Sequence, residues 1–149
     1  MVEPPKPLLE ALGEHPVLVV DTAPIIYWLE GHPRLAERFL PVFEAAESGA
    51  ATIVISTVTL AEVLAGPLRV PDELLTARYR EALTRSPGWH VMPLDVEIAV
   101  EAARIRAAYR LRLPDAIQVA TAIRASAAAL VTHDQALRRV RGLQVVGPD

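Results

Sequence analysis

Four acidic residues, Asp21, Glu62, Asp115 and Asp134, stand where a chain of this kind could do chemistry. Asp21 follows the apolar run Val17-Leu18-Val19-Val20, and Asp134 follows Ala129-Leu130-Val131-Thr132-His133. Asp115 opens an apolar helical stretch just after Pro114. Glu62 lies in a helix entered from the run Thr52-Ile53-Val54-Ile55. If those runs are parallel neighbouring strands, all four carboxylates meet at one end of one sheet. Such a gathering is not made for stability. Two unit charges about 4 Å apart repel by roughly 4 kcal/mol at an effective dielectric near 20. The cluster therefore calls for protons or a cation. An all-oxygen donor set suits hard divalent ions such as Mg²⁺ or Mn²⁺. Each acid also has a plainer use: Asp21 and Asp134 as helix caps, Asp115 as a first-turn acid favoured by the helix dipole, Glu62 as a surface residue.

The elements that must place these acids can be read from pattern. Short apolar, β-branched runs at 17–20, 51–55, 89–92, 128–131 and 143–146 read as strands. Between them, helices are expected over 24–30, 33–48, 72–84, 95–109 and 113–127, with a short helix over 135–140. The helix carrying Glu62 is expected to start at a Ser56 or Thr57 cap and to stop before Gly66-Pro67. Strands alternating with helices, and strands apolar on both faces, imply a mostly parallel central sheet with helices on either side, a three-layer α/β/α sandwich. Sheets of that type bind ligands at the carboxyl ends of their strands, and Asp21 and Asp134 fall at that edge. Residues 1–16 read as a proline-punctuated extension with one short turn over 8–12, and residues 17–149 as one domain.

Composition removes several function classes. The 149 residues include no cysteine, which excludes disulfides, thiolate metal sites and cysteine nucleophiles. Charges or prolines interrupt every apolar run, so no membrane span is expected. No secretory signal pattern opens the chain, and a cytoplasmic location is the expectation. A formal net charge of −3 gives no global attraction to nucleic acid. Arginines are nevertheless crowded near the acids: Arg104, Arg106, Arg110, Arg112 and Arg124 around Asp115, and Arg138, Arg139 and Arg141 after Asp134. Most read as solvated helix faces with pairs such as Glu101–Arg104; a rim that grips phosphate is the functional reading. His15, His32 and His90 have no metal-ligand spacing, and Tyr27, Trp28, Phe39 and Phe43 fit core or dimer packing better than base stacking.

Four segments carry a specific resemblance. Val19-Val20-Asp21-Thr22 with Ile25-Ile26-Tyr27-Trp28-Leu29 resembles the opening of PIN domains. Ile55 to Val63, Leu113 to Ala122 and Leu130 to Asp134 resemble that family's second, third and fourth motifs. The match spans residues 17–146 in the right order, and within the family it is most similar to the VapC-type toxins of toxin–antitoxin pairs. The resemblance implies a divalent-metal site at Asp21, Glu62, Asp115 and Asp134, endoribonuclease activity, an antitoxin partner and a homodimer. Asp21 and Asp115 are the expected direct ligands of one or two Mg²⁺ or Mn²⁺ ions. Glu62 and Asp134 would act through water, or Asp134 would hold the second ion. The expected reaction is hydrolysis of RNA by metal-activated water, leaving 5′-phosphate and 3′-hydroxyl ends. Thr22 and Thr132 are hydroxyls placed to orient a ligand or water. His133 is expected to turn away from Asp134, since adjacent residues at a strand end face opposite ways. Gln118 and Thr121 read as helix-surface or packing residues. Ala23 departs from the polar residue many relatives carry there.

Other folds that gather acids at strand ends fit less well. A receiver domain needs a lysine by the acids, and Lys6 is the single lysine. A haloacid-dehalogenase-type phosphatase needs a second aspartate at the position of Ala23. The non-enzymatic alternative is a PIN module that binds RNA or an antitoxin and assists operator regulation.

Overall fold

The structure, a computed structural model, describes Leu9 and residues 11–147. The chain runs β1 (Val17–Val20), α1 (Thr22–Glu30), α2 (Leu35–Glu47), β2 (Thr52–Ser56), α3 (Thr57–Arg69), α4 (Glu73–Arg85), β3 (Trp89–Met92), α5 (Val96–Tyr109), α6 (Leu113–Arg124), β4 (Ala129–Val131) and β5 (Val145–Val146), with a 3₁₀ turn at Gln135–Arg139. Among the described residues the strands form one sheet in the order β3-β2-β1-β4-β5. Every pairing is parallel, so the expected sandwich is present with a wholly parallel sheet.

Strand alternation sorts the core into two layers. Leu18, Val20, Ile53, Ile55, Ala129 and Val131 face a cluster with Ile25 of α1, Phe39 and Phe43 of α2 and Leu83 of α4. Val19, Val54 and Leu130, the residues between them, face Ile98 and Ala102 of α5 and Val119 and Ala120 of α6. Both faces of the sheet are thus covered, which is why the strands read as continuous apolar runs. The aromatic side chains expected in packing are there: Trp28 stacks on Phe43 at 4.5 Å and on Trp89 at 5.4 Å between ring centres.

The strand order dictates where a cleft can open. From β1 the chain steps outward to β2 and β3, then crosses back over β1 to lay down β4 and β5 on its other side. The connections leaving β1 and β4 therefore diverge at the carboxyl edge, the point at which such sheets hold ligands.

Several boundaries differ from the sequence reading. The helix expected to stop before Gly66-Pro67 continues through both residues to Arg69. Pro67 comes late enough to break only the end of the ladder. Its ring is buried, and its carbonyl accepts from Val70 N at 3.3 Å and Asp72 N at 2.9 Å. Helix α6 ends at Arg124 rather than 127, because Ser126 turns left-handed with φ 51° and Ala127 N returns to Ala122 O. The last strand is only Val145–Val146. Within the N-terminal segment, Leu12 N donates to Leu9 O at 3.1 Å and both leucines pack on the first core layer; residues 8 and 10 of the expected 8–12 turn, and residues 1–7, lie outside the described residues. Among the described residues no helix is long and apolar enough to cross a membrane.

Candidate active site at the carboxyl edge of the sheet

Asp21 is the first residue past β1, and its position is set by the sheet itself: Asp21 N donates to Val131 O of β4 at 2.9 Å. Its carboxylate takes two donors. Oδ1 accepts from Thr22 N at 2.8 Å, and Oδ2 accepts from the Thr132 hydroxyl at 2.9 Å. Burial pushes the Asp21 carboxyl above its ordinary value; the Thr132 and Thr22 donors pull the other way, and the nearby charges of Asp115 and Glu62 push it up further. Desolvation of a carboxylate with no matching cation is the cause.

The four acids arrive from four elements. Asp115 lies in the first turn of α6, behind Pro114, with a mostly buried side chain. Arg112 stands 3.4 Å from it but is itself 83% exposed, so the pair is screened by water and does little to neutralise the cluster. Glu62 projects from α3, exposed, and its Oε1 accepts from the Thr22 hydroxyl at 2.8 Å. Asp134 follows β4 and caps the 3₁₀ turn, its Oδ1 accepting from Ala136 N at 2.9 Å. It is tied to Asp21 through Thr132, whose Oγ1 accepts from Asp134 N at 3.0 Å while donating to Asp21. The capping uses expected for Asp21 and Asp134 are therefore real. Asp115 and Glu62 lie close enough to Asp21 for their charges to act on it. Asp134 joins them through a hydroxyl rather than directly.

Among the described residues, no three His, Cys, Asp or Glu side chains stand close enough together to hold a metal ion. The donor set is all oxygen, buried at one end and open to solvent at Glu62. That combination suits a cation such as Mg²⁺, which binds through one or two carboxylates and keeps several waters.

Around the acids, other side chains fall into place. His133 faces away from them: its Nδ1 lies 3.0 Å from Tyr27 Oη, and its ring meets Tyr27 and Phe39 edge-on. His32 accepts from Arg34 N and Leu35 N, serving the start of α2, and His15 Nδ1 lies 3.2 Å from Gly49 O. Thr121 is buried and bonds back to Ile117 O at 2.7 Å, a packing role. Gln118 is not on the helix surface. It is fully buried and donates to the Thr59 hydroxyl at 2.6 Å. Thr59 in turn lies 3.2 Å from the Thr22 hydroxyl. Sequence reading missed Thr59, although its place one turn before Glu62 puts it on the same helix face. Gln118 carried a similar signal, a polar residue one turn after Asp115 in a largely apolar run.

The fold and this site define a class. A family model for the PIN domain matches residues 18–143, and the chain belongs to the PIN-domain family. Its structural neighbours are VapC and FitB toxins of toxin–antitoxin complexes. A chain of VapBC2 from Rickettsia felis, solved bound to a DNA fragment from its promoter, is similar with a TM-score of 0.71 at 17% identity, covering 89% of this chain and 99% of that one. A chain of a toxin–antitoxin complex from Klebsiella pneumoniae is similar with a TM-score of 0.64 at 25% identity, covering 87% and 95%. VapC20 of Mycobacterium tuberculosis, a sarcin-ricin loop cleaving toxin, is similar with a TM-score of 0.61 at 11% identity, covering 76% and 86%. No curated protein matches the chain.

Proposed function

We propose that this chain is a Mg²⁺- or Mn²⁺-dependent endoribonuclease and the toxin of a toxin–antitoxin pair. The observation that carries the reading is Asp21: a half-buried carboxylate pushed above its ordinary pKa by desolvation, with Asp115 and Glu62 adding to its repulsion, at the point where the strand order reverses. PIN domains are typically nucleases and generally bind divalent metals. The neighbours solved as toxin–antitoxin complexes support the cellular context.

Asp21 and Asp115 would hold the cation directly, and Glu62 and Asp134 directly or through water. When bound, a divalent cation supplies charge neutralisation at the phosphate and eases deprotonation of water. The chain's own residues provide the geometry. Thr132 fixes Asp21 and Asp134 relative to each other, and Thr22 holds Glu62. Glu62 and Asp134 would accept the proton of an attacking water, and the exposed Arg112 would meet an approaching phosphate. The products would carry 5′-phosphate and 3′-hydroxyl ends. The partners would be RNA, an antitoxin chain and a second copy of this one.

The test is cleavage of total cellular RNA by the purified chain in Mg²⁺ or Mn²⁺, with EDTA and Asp115→Asn as controls. Discrete fragments with 5′-phosphate ends, absent from both controls, are expected. Fragments that persist in Asp115→Asn at wild-type yield would overturn the assignment.

A further inference from the structure

Gln118 is a polar side chain with no solvent to satisfy it, 1% exposed beside a Thr59 that is 0% exposed. Its amide nitrogen donates to Thr59 Oγ1, while its Oε1 has no partner among the described residues. A buried amide carbonyl left without a donor is destabilising, and a core position between α6 and α3 could be filled by an apolar side chain. What the amide does there follows from counting protons. Each threonine hydroxyl carries one. The shorter contact of Thr22 is the 2.8 Å one to the Glu62 carboxylate, against 3.2 Å to Thr59. If Thr22 donates to Glu62, the proton between the two threonines belongs to Thr59. Thr59 must then accept from Gln118, which sets the amide with its nitrogen toward Thr59 and strands Oε1. The reverse orientation would spend the Thr59 proton on Oε1, and Thr22 could then hydrogen-bond Thr59 only by donating to it, which leaves Glu62 without its donor. The orphaned oxygen is the consequence of a one-way chain that ends on Glu62.

We propose that Gln118 is a positioning residue which, through Thr59 and Thr22, fixes the orientation of the Glu62 carboxylate for a divalent cation. The proposal rests on the reading of the acidic cluster as a cation site. Glu62 is the exposed member of that cluster and extends from a helix surface, so without a donor it is free to change rotamer. A chain of hydrogen bonds rooted in a low-dielectric interior is stiff because its members polarise one another. Partners one step behind a ligand commonly change metal affinity by about 10–100-fold.

The test is Mn²⁺ affinity of the full chain by titration calorimetry, with melting temperature in EDTA alongside. Variants are Gln118→Met, Thr59→Val, Thr59→Ser, Asp21→Asn and Gln118→Met in a Glu62→Ala background. Gln118→Met and Thr59→Val are expected to weaken Mn²⁺ binding by about tenfold. Thr59→Ser, which keeps the hydroxyl, should bind as the wild type does. With Glu62 truncated, Gln118→Met should add nothing. Wild-type affinity in both Gln118→Met and Thr59→Val, or an equal loss from Gln118→Met when Glu62 is alanine, would overturn the relay. If Gln118→Met does not fold, the contrast between Thr59→Val and Thr59→Ser decides alone. Mn²⁺ binding that is absent, or indifferent to Asp21→Asn, would overturn the cation site and this inference together. Binding that depends on Asp21 but not on Gln118 or Thr59 would overturn this inference only.

Discussion

Asp21 shows how a side chain can be costly to the fold and useful to the site. Burial first, then Asp115 and Glu62, raise its pKa above the ordinary 3.8, against the donors from Thr132 and Thr22. An acid whose pKa is higher when folded binds more protons folded than unfolded within that window. Stability therefore falls as pH rises from about 3.8 through the raised folded value, and stays lowered above it. Without a cation, Asp21→Asn should accordingly raise stability at pH 7. The gain should fade as the pH is lowered toward 4. Melting curves in EDTA at several pH values check this, and a destabilised variant at pH 7 would contradict it. The neighbouring hydroxyl acts oppositely. Thr132→Val removes a donor to Asp21 and the acceptor for Asp134 N, and is expected to lower stability by about 1–3 kcal/mol and to reduce cleavage. Retention of full activity would mean that Thr132 does not orient either acid.

At the scale of elements, the site depends on how closely β4 and β5 approach. Thr132 N donates to Val146 O at 2.9 Å, and Arg138 Nη2 reaches Gly147 O at 3.0 Å. A Cβ built on Gly147 would overlap the Thr132 carbonyl oxygen, so this glycine is needed for space rather than for backbone freedom. Gly147→Ala must push the Thr132–Asp134 segment toward the site or pull β5 from the sheet edge. We expect a loss of about 1–3 kcal/mol in stability, in the range of an overpacked site, together with reduced cleavage per folded molecule. Equal melting temperatures would show that the edge yields freely. Helix α3 makes a related point. Its passage through Gly66-Pro67 leaves Glu62 within the helix body, with Thr59 on the same face one turn earlier.

For the whole molecule, stability and chemistry are separated in space. Trp89 sits on β3, one edge of the sheet, stacked with Phe43 at 5.8 Å and with Trp28; the acids gather around β1 and β4 with Glu62 reaching in from α3. Trp89→Ala should cost about 3–5 kcal/mol while leaving cleavage per folded molecule nearly unchanged at a temperature where the variant is folded. A matching fall in turnover would mean that the two regions are coupled. Cation binding should be visible in the same measurement. Mn²⁺ at about a hundred times its dissociation constant should stabilise the wild type by about 2.7 kcal/mol. The shift should be smaller in Asp115→Asn. Identical melting temperatures in EDTA and Mn²⁺ would count against a shared site.

The strands and most helices were legible in the sequence, as was the place of Asp21 and Asp134 just past parallel strands, because each rests on local information. A β-branched run bounded by turn residues, an acid at a strand end or a proline at a helix start says the same thing wherever it occurs. Asp21 and Asp134 fall at one edge by pattern alone, since parallel strands point the same way. What the sequence left open depends on contacts between distant residues. Whether α3 stops at Pro67 turns on a buried ring and on the later backbone groups that take up its carbonyl. Asp134 is linked to Asp21 by Thr132, across 111 residues of chain in the Asp21–Thr132 bond. Gln118 meets Thr59 from 59 residues away. A polar residue in an apolar helix reads alike whether it faces water or a buried hydroxyl. Only the packing of α6 onto the sheet, which brings Gln118 to Thr59 of α3, decided which, because it excludes the water Gln118 would otherwise have used.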